Sequence, residues 1–213
     1  GLLASLRSAL SRAAVLGLAA VGLSGTAGAQ QAGLILDAAP AAAVEARTGS
    51  TEARAFRVIG ELWIQAVDRE EAVQLGLTAT DALEVGLEPD DAESRRLVRT
   101  YRGAFLALRA KHGGWPGRRL RDLRGGFELM DAAVDEAPDD PAVRYIRLMS
   151  GFYLPGIFGR GDEVDADMAA LTRLLPAAGS RLPPELVPEV AAFLLEHGRP
   201  TPTQRDALAA LLP

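Results

Sequence analysis

Residues 127–145 read FELMDAAVDEAPDDPAVRY, and they place one amphipathic helix directly before another. Apolar and small residues recur three and four positions apart up to residue 137, which is the spacing of one helical face. Pro138 is expected to end this helix, because proline lacks an amide hydrogen and clashes with the preceding turn. A second helix is expected over about 141–154. The stretch therefore predicts two helices joined by a short proline turn.

The same junction occurs earlier in the chain. The segment Glu88-Pro89-Asp90-Asp91-Ala92-Glu93 is echoed 49 residues later by Ala137-Pro138-Asp139-Asp140-Pro141-Ala142. A third junction, Leu175-Pro176, lies 38 residues after Pro138. Helix pairs that recur near this spacing and close with proline are typical of a helical-repeat array.

Helical periodicity extends to both sides of these junctions, and no alternating run is long enough to predict a strand. A loop is expected at 113–117 and a tight turn at 154–159, where glycine and proline cluster. The fold class that follows is all-α. Helices are expected from Ser50 or Thr51 to 67, over 72–85, from Asp90 or Asp91 to about 108, and over 120–137, 141–154, 162–175, 185–197 and 204–212.

The junction at 127–145 resembles the end of one tetratricopeptide (TPR) repeat and the start of the next. That motif has a small residue, a bulky apolar residue four positions later, a small residue three later and proline five later. Four residues fit it: Gly126, Met130, Ala133 and Pro138. Of the other half of the motif, only Gly103 is matched. The resemblance covers about residues 51–176 and implies antiparallel helical hairpins, stacked as a short, degenerate TPR-like array that binds partners in a bacterial cell envelope.

The N-terminal segment has the pattern of a Sec signal peptide over residues 1–29. Arg7 and Arg12 precede the apolar run 13–23, and Ala27-Gly28-Ala29 forms an A-x-A-like cleavage site. The alternative is an uncleaved membrane anchor, but polar residues interrupt the run before it reaches about 20 residues. We therefore expect an exported protein, periplasmic or secreted, with no stable membrane span after cleavage.

The remaining chain divides by composition. Residues 30–50 form an alanine-rich lead-in that is expected to be partly disordered. Residues 51–198 are expected to form the helical domain, followed by a C-terminal tail with a short helix over 199–213.

Composition excludes several classes of function. The 213 residues include no cysteine, which rules out disulfides, thiolate zinc sites, iron–sulfur clusters and cysteine nucleophiles. The formal net charge is −5, and losing residues 1–29, with two arginines and no acid, takes it to −7. Such a chain is not expected to bind nucleic acid or anionic membranes, because both depend on positive charge. No cofactor is expected.

The densest positive charge lies just after the 113–117 loop. Arg118, Arg119, Arg121 and Arg124 follow Arg109 and Lys111 closely. Because arginine offers a bidentate fork, this group is a candidate for binding a carboxylate or phosphate. The alternative is a solvated helix face, with an ion pair between Arg124 and Glu128.

A second group combines aromatic residues and arginine, the residues that dominate binding hot spots. The alternative interpretation is core packing, which we favour for Tyr145 and Phe152. Phe158 and Ile157 are expected in a turn rather than on a helix. The group comprises Trp115, Tyr145, Phe152, Tyr153 and Phe158, with Arg144 and Arg147.

Catalytic and metal-binding patterns are weak. His112 is a candidate general base with Asp122 to orient it, but a helix C-terminus explains His112 equally simply. The acidic run 162–167 lacks the glycine and closing glutamate of a calcium loop, and acids are favourable where a helix begins. No catalytic or metal-ligating residue is therefore assigned, and the chain is not expected to be an enzyme.

The function predicted is an exported helical-repeat scaffold that binds a protein or peptide partner in the cell envelope. Two alternatives remain open: an envelope hydrolase or small-ligand-binding protein with a non-obvious site, and an accessory subunit of a larger complex. The oligomeric state is not predicted. Candidate partner-binding residues are Arg118, Arg121, Arg124, Trp115, Tyr153 and Phe158.

Overall fold

The computed structural model describes residues 51–113, 115–177, 182–183 and 186–213. The expected signal peptide (1–29) and lead-in (30–50) lie outside the described residues. Within this part of the chain there are helices and turns and no strand, so the all-α expectation is confirmed. The elements are α1 (Thr51–Ala66), α2 (Glu70–Gly86), α3 (Ala92–His112), α4 (Pro116–Glu136), α5 (Pro141–Phe152), the 3-10 helix η1 (Gly156–Phe158), α6 (Gly161–Leu174), α7 (Val187–His197) and α8 (Pro202–Ala209).

The described helices form two compact units that divide within α4, between Met130 and Asp131. In the first unit, residues 51–130, α1, α2 and α3 pack against one another. In the second unit, residues 131–213, α6 packs against α5 and α7, and α8 packs against α6 and α7. The C-terminal helix is thus part of the second unit, where Leu208 is fully buried.

The core of the first unit is apolar and tightly filled. Ile59 and Leu62 of α1 and Phe105 of α3 are almost completely buried. The Phe105 ring lies against Gly76 of α2, where a Cβ atom would come within 2.1 Å of the ring. The missing side chain at Gly76 therefore makes room for the largest of the fully buried side chains among the described residues.

Helices α3 and α4 approach each other closely at two glycines. A Cβ on Gly126 would lie 2.5 Å from the Gly103 carbonyl oxygen, and a Cβ on Gly103 would lie 2.5 Å from that of Gly126. Met130, one turn beyond Gly126, is completely buried. Small residues at this crossing are therefore required by backbone contact.

The two proline junctions share a hydrogen-bond pattern. The Asp91 amide donates to the Glu88 carbonyl at 3.2 Å, and the Asp140 amide donates to the Ala137 carbonyl at 3.1 Å. The side chains of both aspartates then cap the next helix, accepting from the amides of Ser94 and Ala142. Each cap satisfies an amide that a helix N-terminus otherwise leaves without a partner.

An arginine follows each cap and bonds back to the junction. Arg95 donates from Nη2 to the Leu87 carbonyl at 2.7 Å, and Arg144 donates from Nε to the Pro138 carbonyl at 2.5 Å. These arginines lie at matched positions of the sequence echo.

Some helix boundaries differ from expectation. Helix α4 begins at Pro116 rather than 120, because proline fits a first helical turn, where its missing amide hydrogen would have no partner. The turn at 154–159 contains η1 and ends at Gly159, whose φ of 67° lies in the left-handed region that glycine tolerates. Helix α8 begins two residues early, at Pro202, because Thr201 and Gln204 form a capping box.

Among the described residues, no helix combines the length and apolar character needed to cross a membrane.

Candidate functional site

The first three turns of α4 carry a line of exposed arginines. Arg118, Arg121 and Arg124, called here the basic ridge, are exposed and spaced three residues apart, so they share one side of the helix. No hydrogen bond or ion pair engages their guanidinium groups within the described part of the chain, including the expected pair between Arg124 and Glu128. The ridge thus presents three arginines available for an external partner.

Two apolar side chains lie beside the ridge in the sequence and are also exposed. Trp115, immediately before α4, is 82% exposed, and Leu120 is 40% exposed. The chain's other tryptophan differs: Trp63 is buried, with its ring edge-on to Tyr101 at a centroid distance of 6.0 Å. The exposure of Trp115 therefore results from its position in the fold, because the same type of residue is buried at position 63.

The other basic residues near the ridge serve the fold. Arg119 donates from Nε to the Ala110 carbonyl at 2.9 Å, and so satisfies a carbonyl near the end of α3. Arg109 binds Asp122 with two hydrogen bonds of 2.9 Å, one to each carboxylate oxygen. Lys111 donates to the Val67 carbonyl. The positive group expected from the sequence thus separates into three side chains bound within the fold and three that have no partner among the described residues.

His112 and Asp122 do not form the acid–base pair considered from the sequence. His112 ends α3, and its Nε2 lies 2.8 Å from the Ala66 carbonyl oxygen. Asp122 is buried, and both of its carboxylate oxygens accept from Arg109. Each side chain therefore has a partner that ties helices together within the first unit.

Helix α4 begins with the wrong charge for its dipole. Its first turn contains Arg118 and Arg119 and no acidic residue. The N-terminal end of a helix is partially positive, and a charge there changes stability by about 0.3–1 kcal/mol. For Arg119, the hydrogen bond to α3 offsets the unfavourable charge at the helix N-terminus. Arg118 makes no such bond within the described residues.

The second unit has its own exposed apolar surface, the aromatic turn, formed by Tyr153, Ile157 and Phe158. Tyr153 is half-buried at the end of α5, while Ile157 and Phe158 of η1 are 88% and 42% exposed. Burial, and then the charge of Glu196, raise the pKa of Tyr153. A short 3-10 helix can leave such side chains in solvent, because it has too few residues to bury a face of its own.

Of the two aromatics expected in the core, Tyr145 is buried. Phe152 is only half-buried, and its ring packs edge-on against that of Phe193, with the two ring centroids 4.9 Å apart.

Arg144 and Arg147, which the sequence grouped with the aromatic residues as candidates for partner binding, are engaged inside the fold. Arg147 is buried and binds Asp167 through Nε and Nη2, each at 2.8 Å. Arg144 reaches the same carboxylate through Nη1 at 2.7 Å, and Asp131 accepts from Nη1 of Arg147 at 2.9 Å. Both arginines are drawn inward because Asp167 is almost completely buried, and a buried carboxylate requires paired donors.

The same cluster holds the chain after η1. Arg160 donates to both carboxylate oxygens of Asp131, at 2.6 and 3.0 Å. Burial by itself lowers the pKa of Arg147, but hydrogen bonds and the charges of Asp167 and Asp131 outweigh it and raise that pKa. The cluster therefore anchors the segment after the aromatic turn to α4.

The acidic run 162–167 splits in the structure. Asp162 and Asp165 are exposed, whereas Asp167 enters the buried cluster. Among the residues that the structure describes, no three histidine, aspartate or glutamate side chains converge as a metal site would require. The sequence did contain a signal for Asp167: it lies on the same face of α6 as Met168 and Leu171, which are buried.

The six candidate partner-binding residues belong to different units. Trp115 and the basic ridge lie in the first unit, and Tyr153 and Phe158 lie in the second. Each unit therefore carries candidate residues of its own.

Comparison with protein-family models, curated proteins and solved structures finds no match. The part of the chain that the structure describes is all-helical, with packed helix pairs. No family is identified for it.

Proposed function

We propose that this chain is an exported, TPR-like scaffold of the cell envelope, periplasmic or secreted, that binds a protein or peptide partner. It acts by binding and performs no chemistry of its own. The basic ridge with Trp115 is its main contact surface, and the aromatic turn is a second one.

The observation that carries this proposal is the exposure of Trp115 beside three unengaged arginines. Tryptophan and arginine dominate the energy of protein interfaces, because they combine large contact area with directional hydrogen bonding. A tryptophan that is 82% exposed gains little from folding. Burial against a partner would remove its apolar surface from water, at about 25 cal/mol per Å².

The repeat assignment is supported by the paired junctions and by the helix crossing. Asp91 and Asp140 each follow a proline junction and cap the helix after it, α3 and α5 respectively. Gly103 and Gly126, the small residues that a TPR-like motif would place between paired helices, are in backbone contact. Both features support a degenerate helical repeat.

A binding role without catalysis is supported by the engagement of the acid–base candidates. His112 is held by the Ala66 carbonyl, and Asp122 is held by Arg109. Side chains committed to such contacts serve the fold rather than proton transfer to a substrate.

Export is supported by the sequence of residues 1–29 and is tested separately. N-terminal sequencing of the chain recovered from the envelope or medium should begin at or near Gln30. Recovery of an uncleaved N-terminus in the membrane would favour the anchor instead.

Partner binding is tested by capture from envelope extract with three forms of the full chain. These are the wild type, the ridge variant Arg118→Glu/Arg121→Glu/Arg124→Glu, and a control variant, Arg69→Glu/Arg199→Glu/Arg205→Glu. The control reverses three other exposed arginines, so both variants have the same net charge. A protein retained by the wild type and control but lost with the ridge variant is the expected result.

A second variant, Ile157→Ser/Phe158→Ser, tests the aromatic turn. Retention by the ridge variant and loss here would assign the partner to the second unit. If no protein is retained by the wild type, the scaffold proposal is wrong and small-ligand binding should be examined.

A further inference from the structure

We infer that the basic ridge, together with Trp115, binds a carboxylate-rich segment of a protein partner. This inference rests on the proposed scaffold function and specifies the chemistry of the partner. Its starting point is a placement of charge that folding does not explain.

The ridge opposes helix formation locally. Arg118 lies at the partially positive end of α4, and arginines three residues apart bring like charges together on one side of the helix. No acidic side chain of the described chain forms an ion pair with Arg118, Arg121 or Arg124. Residues that are unfavourable for the stability of their own helix are expected mainly at functional sites.

The geometry suits several carboxylates close together. Arg118 and Arg124 are six residues apart, which at about 1.5 Å per residue gives a ridge about 9 Å long. Each guanidinium can bind one carboxylate through two parallel hydrogen bonds. Three acidic side chains within a short peptide segment would therefore match the ridge.

The apolar residues beside the ridge favour a protein as the source of those carboxylates. Trp115 and Leu120 are both exposed, so a segment with an apolar residue near its acids would cover them as well. Binding energy at protein interfaces concentrates where aromatic anchors and charges combine in this way.

The charge of the rest of the chain disfavours long polyanions. The whole chain has 28 acidic and 23 basic residues, and the three ridge arginines are among the 23, so a nucleic acid or a bilayer would meet net repulsion beyond the ridge. A short acidic segment needs only the local field of the ridge.

The test is direct binding of a fluorescein-labelled octaglutamate peptide to the full chain, followed by fluorescence anisotropy. We expect binding that weakens as ionic strength rises, because exposed charges are screened. An octaglutamine peptide should not bind. The ridge variant should bind octaglutamate about tenfold more weakly or worse, while the Arg69→Glu/Arg199→Glu/Arg205→Glu control should stay within about twofold of the wild type.

Three results would overturn the inference. One is equal binding of octaglutamate by the wild type and the ridge variant, with circular dichroism showing that both are folded. Another is no binding of octaglutamate while an envelope protein is still captured through the ridge; the scaffold function would then stand and only the partner chemistry would be wrong. The third is tighter, ridge-dependent binding of phosphatidylglycerol vesicles or a single-stranded oligonucleotide, which would assign the ridge to another class of macromolecule.

Discussion

Two neighbouring glycines of α4 should respond in opposite ways to the same substitution. In a helix interior, alanine is more favourable than glycine by about 1 kcal/mol. Apart from its chain neighbours and the backbone of its own helix, no atom lies within 4 Å of the position that a Cβ on Gly125 would take, so Gly125→Ala should gain most of that stability. At Gly126 the Cβ would lie 2.5 Å from the Gly103 carbonyl oxygen and 3.0 Å from the Ala107 amide nitrogen.

Those two contacts are with backbone atoms, so no rotation of a side chain relieves them. Overpacking of this kind costs about 1–3 kcal/mol, which offsets or exceeds the gain in helix propensity. We therefore expect Gly125→Ala to be more stable than Gly126→Ala by about 1–3 kcal/mol. The difference measures the close approach of α3 and α4 alone.

Urea unfolding followed by tryptophan fluorescence is the appropriate assay, because both tryptophans, Trp63 and Trp115, lie in the first unit. Each variant should keep the wild-type dependence of unfolding free energy on urea, so that the midpoint reports stability. Equal stabilisation by both substitutions would refute the helix crossing described here. Destabilisation by both would show that the space beside Gly125 is not open.

Three further predictions concern charge. Asp167→Ala should lower the unfolding free energy of the second unit by about 3–5 kcal/mol, measured by urea unfolding followed by circular dichroism, because it leaves the buried Arg147 with fewer acidic partners. The double variant Asp167→Leu/Arg147→Met should recover much of that loss. A cost near zero for Asp167→Ala would contradict the buried cluster. Arg118→Glu should stabilise α4 by about 0.3–1 kcal/mol in thermal unfolding, because an acidic side chain is favourable at a helix N-terminus. The same substitution should weaken octaglutamate binding. Loss of both stability and binding would mean that Arg118 serves the fold. Burial raises the pKa of Tyr101 to about 12, from an ordinary value of 10.0. Because the fold favours the neutral phenol, the stability that Tyr101 contributes is complete below pH 10 and is lost as pH rises toward 12. Tyrosine absorbance follows the ionisation, and Tyr101→Phe should remove this part of the loss of stability at alkaline pH.

Much of the helical framework could be predicted from the sequence, because its signals are local. The spacing of apolar residues identified the helices, and Pro89 and Pro138 marked where two of them end. The start of α4 was placed four residues late because Gly113, Gly114 and Gly117 favour a loop. The capacity of Pro116 to begin a helix prevailed instead.

The candidate site was predicted less completely. The sequence indicated the arginines of α4, but it could not separate Arg119, which bonds to Ala110, from its free neighbours. It likewise left open whether Arg147 binds a partner or packs inside, whereas in the structure Asp167 holds it in the interior. These outcomes depend on which residues distant in the chain come together, and spacing along one helix carries no such information.

The sequence by itself determined the all-α class, the junctions at Pro89 and Pro138 and the net negative charge, since each follows from composition or from neighbours within about four residues. Only the tertiary structure decided that Gly126 must be a glycine, that Asp167 is buried, and that Trp115 stays in solvent while Trp63 does not. The physical reason is that helix periodicity fixes which side of a helix a residue occupies, whereas packing between helices decides whether that side meets another chain segment or water.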